Sequence, residues 1–143
     1  MLDSPWQNSR ALSGFQVSPI VAYNSGHPFN LLAGADINHD NHFTNDRPIG
    51  APRNSGLGPN YVTFDMRLGW TFKMGEQSAL RFTAEGFNLT NRTNYSRVNN
   101  TVGAAFPAPF NVRGTASLSP SDPLGFTAAL PKREIQLGVR FNF

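Results

Sequence analysis

Apolar and polar residues alternate along four segments of the chain, most strictly over 61–72. There Val62, Phe64, Met66, Leu68, Trp70 and Phe72 share one face, while Thr63, Asp65, Arg67, Gly69 and Thr71 share the other. A period of two marks an extended strand, because successive side chains point to opposite sides of it. A run this long is what a tilted crossing of a bilayer needs. The last segment repeats the pattern, with Ile135, Leu137, Val139, Phe141 and Phe143 opposite Glu134, Gln136, Gly138, Arg140 and Asn142. In the third, Leu80, Phe82 and Ala84 oppose Arg81, Thr83 and Glu85 before the phase is lost over 86–89. The first is weaker: Phe15, Val17, Val21 and Tyr23 alternate with Gln16, Ser18, Ile20 and Ala22, and Pro19 interrupts. Proline lacks a ladder N–H, which predicts a bulge or local break there.

The connections are uneven. A short turn at 73–78 joins the second and third segments, whereas the polar stretches 25–60 and 90–131 are long. Loops of that length are uncommon in compact soluble domains. Short turns on one side and long loops on the other are a property of outer-membrane barrels, and the parity puts the end of the last strand on the short-turn, periplasmic side. The reading is therefore all-β: antiparallel transmembrane barrel strands near 14–24, 60–73, 79–90 and 132–143, in one domain part spanning 1–143. About four such strands are expected to be incomplete alone, because closed barrels begin near eight strands.

Charge predicts one register. If Phe72 faces Leu80, then Leu68 faces Ala84 and Arg67 faces Glu85, whereas a shift by two would oppose Asp65 and Glu85. Arg67 and Glu85 are thus expected to be cross-strand neighbours. Tyr61, Trp70, Phe72, Tyr95 and Phe141, near predicted strand ends, are expected in the interfacial aromatic girdles.

Composition narrows the class. Charged residues make up 15%, below the usual quarter of a soluble domain. The chain carries 12 Phe, 13 Gly and 11 Pro, which suits strands and turns better than helices. A net charge of +3 is spread over single basic residues, with lysine only at Lys73 and Lys132. No basic patch interleaved with aromatics exists, so no nucleic-acid partner is expected. Without cysteine there is no disulfide or thiolate chemistry. No apolar run reaches the length of a transmembrane helix, which leaves barrel strands untouched as a possibility. The first residues lack the basic and apolar regions of a signal peptide. An outer-membrane protein starting this way is expected to be a fragment or to have lost its true start.

Several stretches then carry a family likeness. They are Gly14-Phe15-Gln16-Val17 with Tyr23-Asn24-Ser25-Gly26-His27-Pro28-Phe29, and Asp36-Ile37-Asn38-His39-Asp40 with Asn45-Asp46-Arg47-Pro48. Phe64-Asp65-Met66-Arg67, the run from Glu85 to Tyr95 and the run from Arg133 to Phe143 follow in order. Together they span nearly the whole chain, which resembles the C-terminal part of a TonB-dependent receptor of the Oar-like group. The resemblance implies a 22-stranded barrel plugged by an N-terminal domain and powered through a TonB box, for uptake of scarce ligands across the outer membrane of a Gram-negative bacterium. Neither plug nor TonB box lies in these residues, so the TonB system would be a partner only through the missing plug. Outer-membrane lipid and the barrel-assembly machinery are the other implied partners. The same resemblance gives Phe141 and the terminal Phe143 the role of an assembly signal. Pro19 departs from the family pattern, which favours a small residue there.

Candidate chemistry is sparse. Asp36, Asn38, Asp40 and Asp46 place oxygens in alternation, as a Ca²⁺ loop does. An EF-hand would need glycine where Asn41 stands and glutamate where Arg47 stands. A solvated turn rich in Asx residues accounts for the same pattern. His39 and His42, with His27 upstream, lack the glutamate of a zinc enzyme. No nucleophile elbow or phosphate-cradling loop is present, so no catalytic residue and no other cofactor are expected and the chain is read as non-enzymatic. Two other readings stay open. A soluble β-sandwich binding module would bury the apolar faces in a two-sheet core. An outer-membrane barrel enzyme would bring a serine, a histidine and an acid together at the lumen or rim.

Overall fold

The computed structural model describes the backbone of Leu2–Asp3 and the whole of residues 13–143. Along the chain the strands are β1 (Leu2–Asp3), β2 (Phe15–Asn24), β3 (Pro28–Phe29), β4 (Gly56–Leu57), β5 (Tyr61–Lys73), β6 (Ala79–Phe87), β7 (Tyr95–Val98), β8 (Val112–Arg113), β9 (Phe126–Ala129) and β10 (Glu134–Asn142). They belong to two compact units. One takes in the described residues up to Ala22 with Val62–Arg92 and Pro131–Phe143; the other takes in Tyr23–Tyr61 and Thr93–Leu130.

The first unit is one sheet in the order β1-β2-β5-β6-β10. β5 and β6 are antiparallel with Phe72 opposite Leu80, Leu68 opposite Ala84 and Arg67 opposite Glu85. This is the register expected from charge, and the Arg67 Nε lies 3.1 Å from Glu85 Oε1. β10 continues the ladder antiparallel to β6, pairing Leu137 with Ala84 and Gln136 with Glu85. The ion pair is half exposed, so its contribution is small. Mutating Arg67→Ala and Glu85→Ala singly and together should give a coupling of about 0.2–1 kcal/mol that fades in high salt. A double-mutant unfolding cycle at two salt concentrations checks this, and a coupling above that range would mean the pair is far better shielded.

Pro19 breaks nothing. β2 is continuous from Phe15 to Asn24, which corrects the expected bulge. The reason lies in which edge the proline faces. Thr71 N–H donates to the Gly14 carbonyl at 3.1 Å, and alternation then turns the N–H groups of residues 16, 18 and 20 toward β5. Position 19 points to the other side, where β1 pairs only with Gln16 and Val17. No ladder bond to β5 is lost.

On β10 both faces of the sheet are open. Ile135, Leu137, Val139 and Phe141 are all exposed, Leu137 to 81%, as are Val21, Phe72 and Phe82. Thr63, by contrast, is buried on the polar face. A soluble two-sheet core would reverse this arrangement, whereas a barrel wall requires it. The aromatic rows are also legible: Trp70 stacks on Phe82 at 5.8 Å, and Phe72, Leu80 and Phe141 form the next row toward the short turn. That turn is closed by Met74 N–H donating to Ser78 C=O.

The long connections are not bare loops. They fold together as the second unit. β3 pairs antiparallel with β4, which pairs parallel with β8; β7 pairs antiparallel with β9 through two register shifts. Backbone bonds stitch one connection to the other: Leu32 N–H to Asn100 C=O, and Val102 N–H to Leu32 C=O. The Asn100 amide adds a bond to the Asn30 carbonyl at 2.9 Å. Leu31 between these bonds is fully buried. The third predicted strand ends at Phe87 rather than 90, because Asn88 and Asn91 take positive φ and turn the chain.

Candidate functional site

The second unit holds an open cleft of about 470 Å³, within the range of small-molecule sites. His27, Phe29, Tyr61, Tyr95, Arg97 and Asn100 are among its lining residues. Its shape follows from local constraints. Gly26, at φ +68°, passes against the Gly58 and Pro59 carbonyls where any Cβ would collide, and Gly58 N–H donates to His27 C=O at 2.9 Å. Tyr95 is fixed by stacking on Phe126 at 4.1 Å. The walls are mostly apolar with a few polar tips, an arrangement that suits a ligand carrying rings or hydroxyls.

Two residues here were expected elsewhere. Tyr61 and Tyr95 are cleft residues of the second unit, whereas Trp70, Phe72 and Phe141 lie on strands of the sheet. Sequence reasoning missed the cleft because its walls come from short strands and turns without a period. The clue available was the aromatic and asparagine content just inside each long connection.

The Asp36–Asp46 segment is organised by its own backbone. Asp36 accepts N–H bonds from Asp40 and Asn41, Asp40 Oδ1 accepts from His42 N–H at 2.8 Å, and Asp46 accepts from Ile37 N–H. Asn38 caps Asp40 N–H and donates its amide to the Asp40 carboxylate. His39 and Asn41 adopt positive φ. These are the bonds of Asx turns, and they engage the oxygens that a Ca²⁺ ion would need. Among the described residues no group of three or more His, Asp and Glu side chains converges to hold a metal.

On the sheet, the polar face carries Gln16, Ser18, Arg67, Arg81, Thr83, Glu85, Gln136 and Arg140. At the chain's end the Phe141 and Phe143 rings stack at 5.8 Å, and Phe143 is 95% exposed.

No curated protein and no solved structure matches the chain. A family model described as an outer membrane beta barrel domain matches residues 43–136, covering β5, β6, the second long connection and half of the first. The match agrees with what the sheet displays: antiparallel strands, an exposed apolar face and a polar face opposite it. The chain belongs to the outer-membrane β-barrel domain family and supplies a segment of barrel wall.

Proposed function

We propose that this wall segment is the C-terminal part of a TonB-dependent receptor of the Oar-like kind, contributing strands and external loops to the uptake of a scarce ligand. The observation that carries the reading is the uneven connectivity. The sheet's strands are joined by a short turn at one end, while both connections at the other end are long and fold as one unit around a cleft of ligand size. A passive wall needs no such unit. The family likeness of the Glu85–Tyr95 and Arg133–Phe143 runs supports the same reading.

On this reading the chain is not an enzyme. Its apolar face meets outer-membrane lipid, and Phe141 with Phe143 presents the aromatic end read by the barrel-assembly machinery. A plug and its TonB box would be supplied N-terminal to the segment. The test needs no knowledge of the ligand. The periplasmic domain of TonB, immobilised and exposed to solubilised native outer membranes, is expected to retain a protein yielding peptides of this chain. Retention should be lost on adding an excess of a TonB-box peptide. Absence of these peptides, when the same membranes contain the protein, would leave a barrel but remove TonB from the reading.

A further inference from the structure

The polar face of the sheet contains a groove that the uptake reading does not use. Across β5, β6 and β10 the pairings Gly69–Thr83 and Thr83–Gly138 lay down a row of small residues. Two of its three positions have no side chain, so the row is a floor. The next row toward the short turn is Thr71, Arg81 and Arg140; the row on the other side is Arg67, Glu85 and Gln136. A hollow of about 210 Å³ lies over this floor, lined by Arg67, Arg81, Thr83, Gly138, Val139 and Arg140.

Its charge is unbalanced. Glu85 is spent on Arg67. Arg81 and Arg140 face each other directly across the ladder, an arrangement that like charges disfavour. Among the described residues Arg81 reaches only the neutral Gln16 amide, with Nη2 3.3 Å from Oε1, and its shielded Nε has no partner. Among the described residues Arg140 has no carboxylate partner. Two guanidinium forks beside a bare floor suit one ligand chemistry, an oxyanion that accepts paired N–H bonds.

We infer that Arg81 and Arg140, with Thr83 beneath them, form an oxyanion-binding groove in the lumen wall. The groove takes a phosphate or carboxylate group, with the Arg67–Glu85 ion pair at its edge. The inference stands on the barrel wall and does not depend on TonB. The oxyanion has two sources: a dissolved solute, or a carboxylate of protein lodged in the lumen.

The full-length protein in detergent micelles, titrated calorimetrically with inorganic phosphate at low salt, distinguishes them. For a dissolved solute, binding is saturable, weakens at least tenfold in Arg81→Gln and in Arg140→Gln, and is unchanged in Lys73→Gln. For a lodged carboxylate, the wild-type protein takes up no phosphate. The Arg81→Gln/Arg140→Gln double variant then melts several degrees lower, by an amount that shrinks in 0.5 M salt. Binding that survives both single substitutions overturns the inference. So does a wild-type protein that takes up no phosphate while the double variant melts unchanged or higher, as simple relief of repulsion would give. Heat-modifiable electrophoretic mobility confirms folding, and Arg140→Gln, at an exposed position, gives the readout alone if Arg81→Gln fails to fold.

Discussion

Replacing Leu137 with arginine is expected to destabilise the folded protein in lipid vesicles by about 2–4 kcal/mol, the cost of a cation on the lipid face near the bilayer midplane. Leu137 lies in the central apolar row with Leu68 and Ala84, and it is 81% exposed. In water a substitution at so exposed a site would change stability by no more than about 0.5 kcal/mol. The large effect therefore reports the solvent that meets this face. Gln136→Arg is the control one residue away. It enters the polar face opposite Glu85, where a positive charge is accommodated or mildly favoured. Reversible denaturant unfolding of both variants in vesicles gives the comparison. If Leu137→Arg proves as harmless as Gln136→Arg, the exposed apolar face does not meet lipid.

The second large effect is expected at Asn88. This residue is 4% exposed and holds φ at +46°, a region asparagine tolerates better than other residues with a side chain. Its N–H donates to Asp65 Oδ1 at 2.7 Å, and its side-chain amide donates to the Arg92 carbonyl at 2.8 Å and reaches the Pro131 carbonyl at 3.5 Å. One side chain thus ties the exit of β6 to the approach of β10. Asn88→Ala removes those donors from the Arg92 and Pro131 carbonyls and strains the turn, for a loss of about 1–3 kcal/mol. Asn88→Gly keeps the backbone conformation and should lose less. Asn88→Asp aims acceptors at carbonyls and should recover nothing. Equilibrium unfolding ranks the three, with proteolysis at 88–92 as a local readout; Asn88→Ala matching wild type would show that the tie is dispensable.

How far these features could be read from the sequence depends on how local their causes are. The strict alternation of 61–72 and 135–143 determines β5 and β10 because each residue's face follows from its neighbour's. The β5–β6 register was readable because one pairing joins Arg67 to Glu85, whereas a shift by two would oppose Asp65 and Glu85. Pro19 shows the limit. Its missing N–H is plain from the residue type, but whether that matters depends on which neighbour the backbone faces, a fact of tertiary pairing.

The second unit was hidden for a related reason. β3, β4 and β8 are two residues each, too short for any period, and they are held by bonds between distant segments such as Asn100 to Asn30. Polar composition there suggested loops, although the asparagines act as connectors. The opposition of Arg81 and Arg140 requires the β6–β10 register, which no charged pair within those strands fixes uniquely.

The lengths of the wall strands carry a final consequence. β6 and β10 have 9 residues each, and at about 3.3 Å per residue with a tilt near 40° they rise roughly 23 Å. That height is close to the apolar band of roughly 25 Å typical of outer-membrane barrels and short of the roughly 32–33 Å core of a sterol-rich membrane. In a thicker bilayer the surrounding lipid must compress around the wall or leave apolar chains against the polar strand ends. Hydrophobic mismatch thus gives the β6–β10 side of the wall a physical preference for a thin membrane, while the 13 residues of β5 reach further.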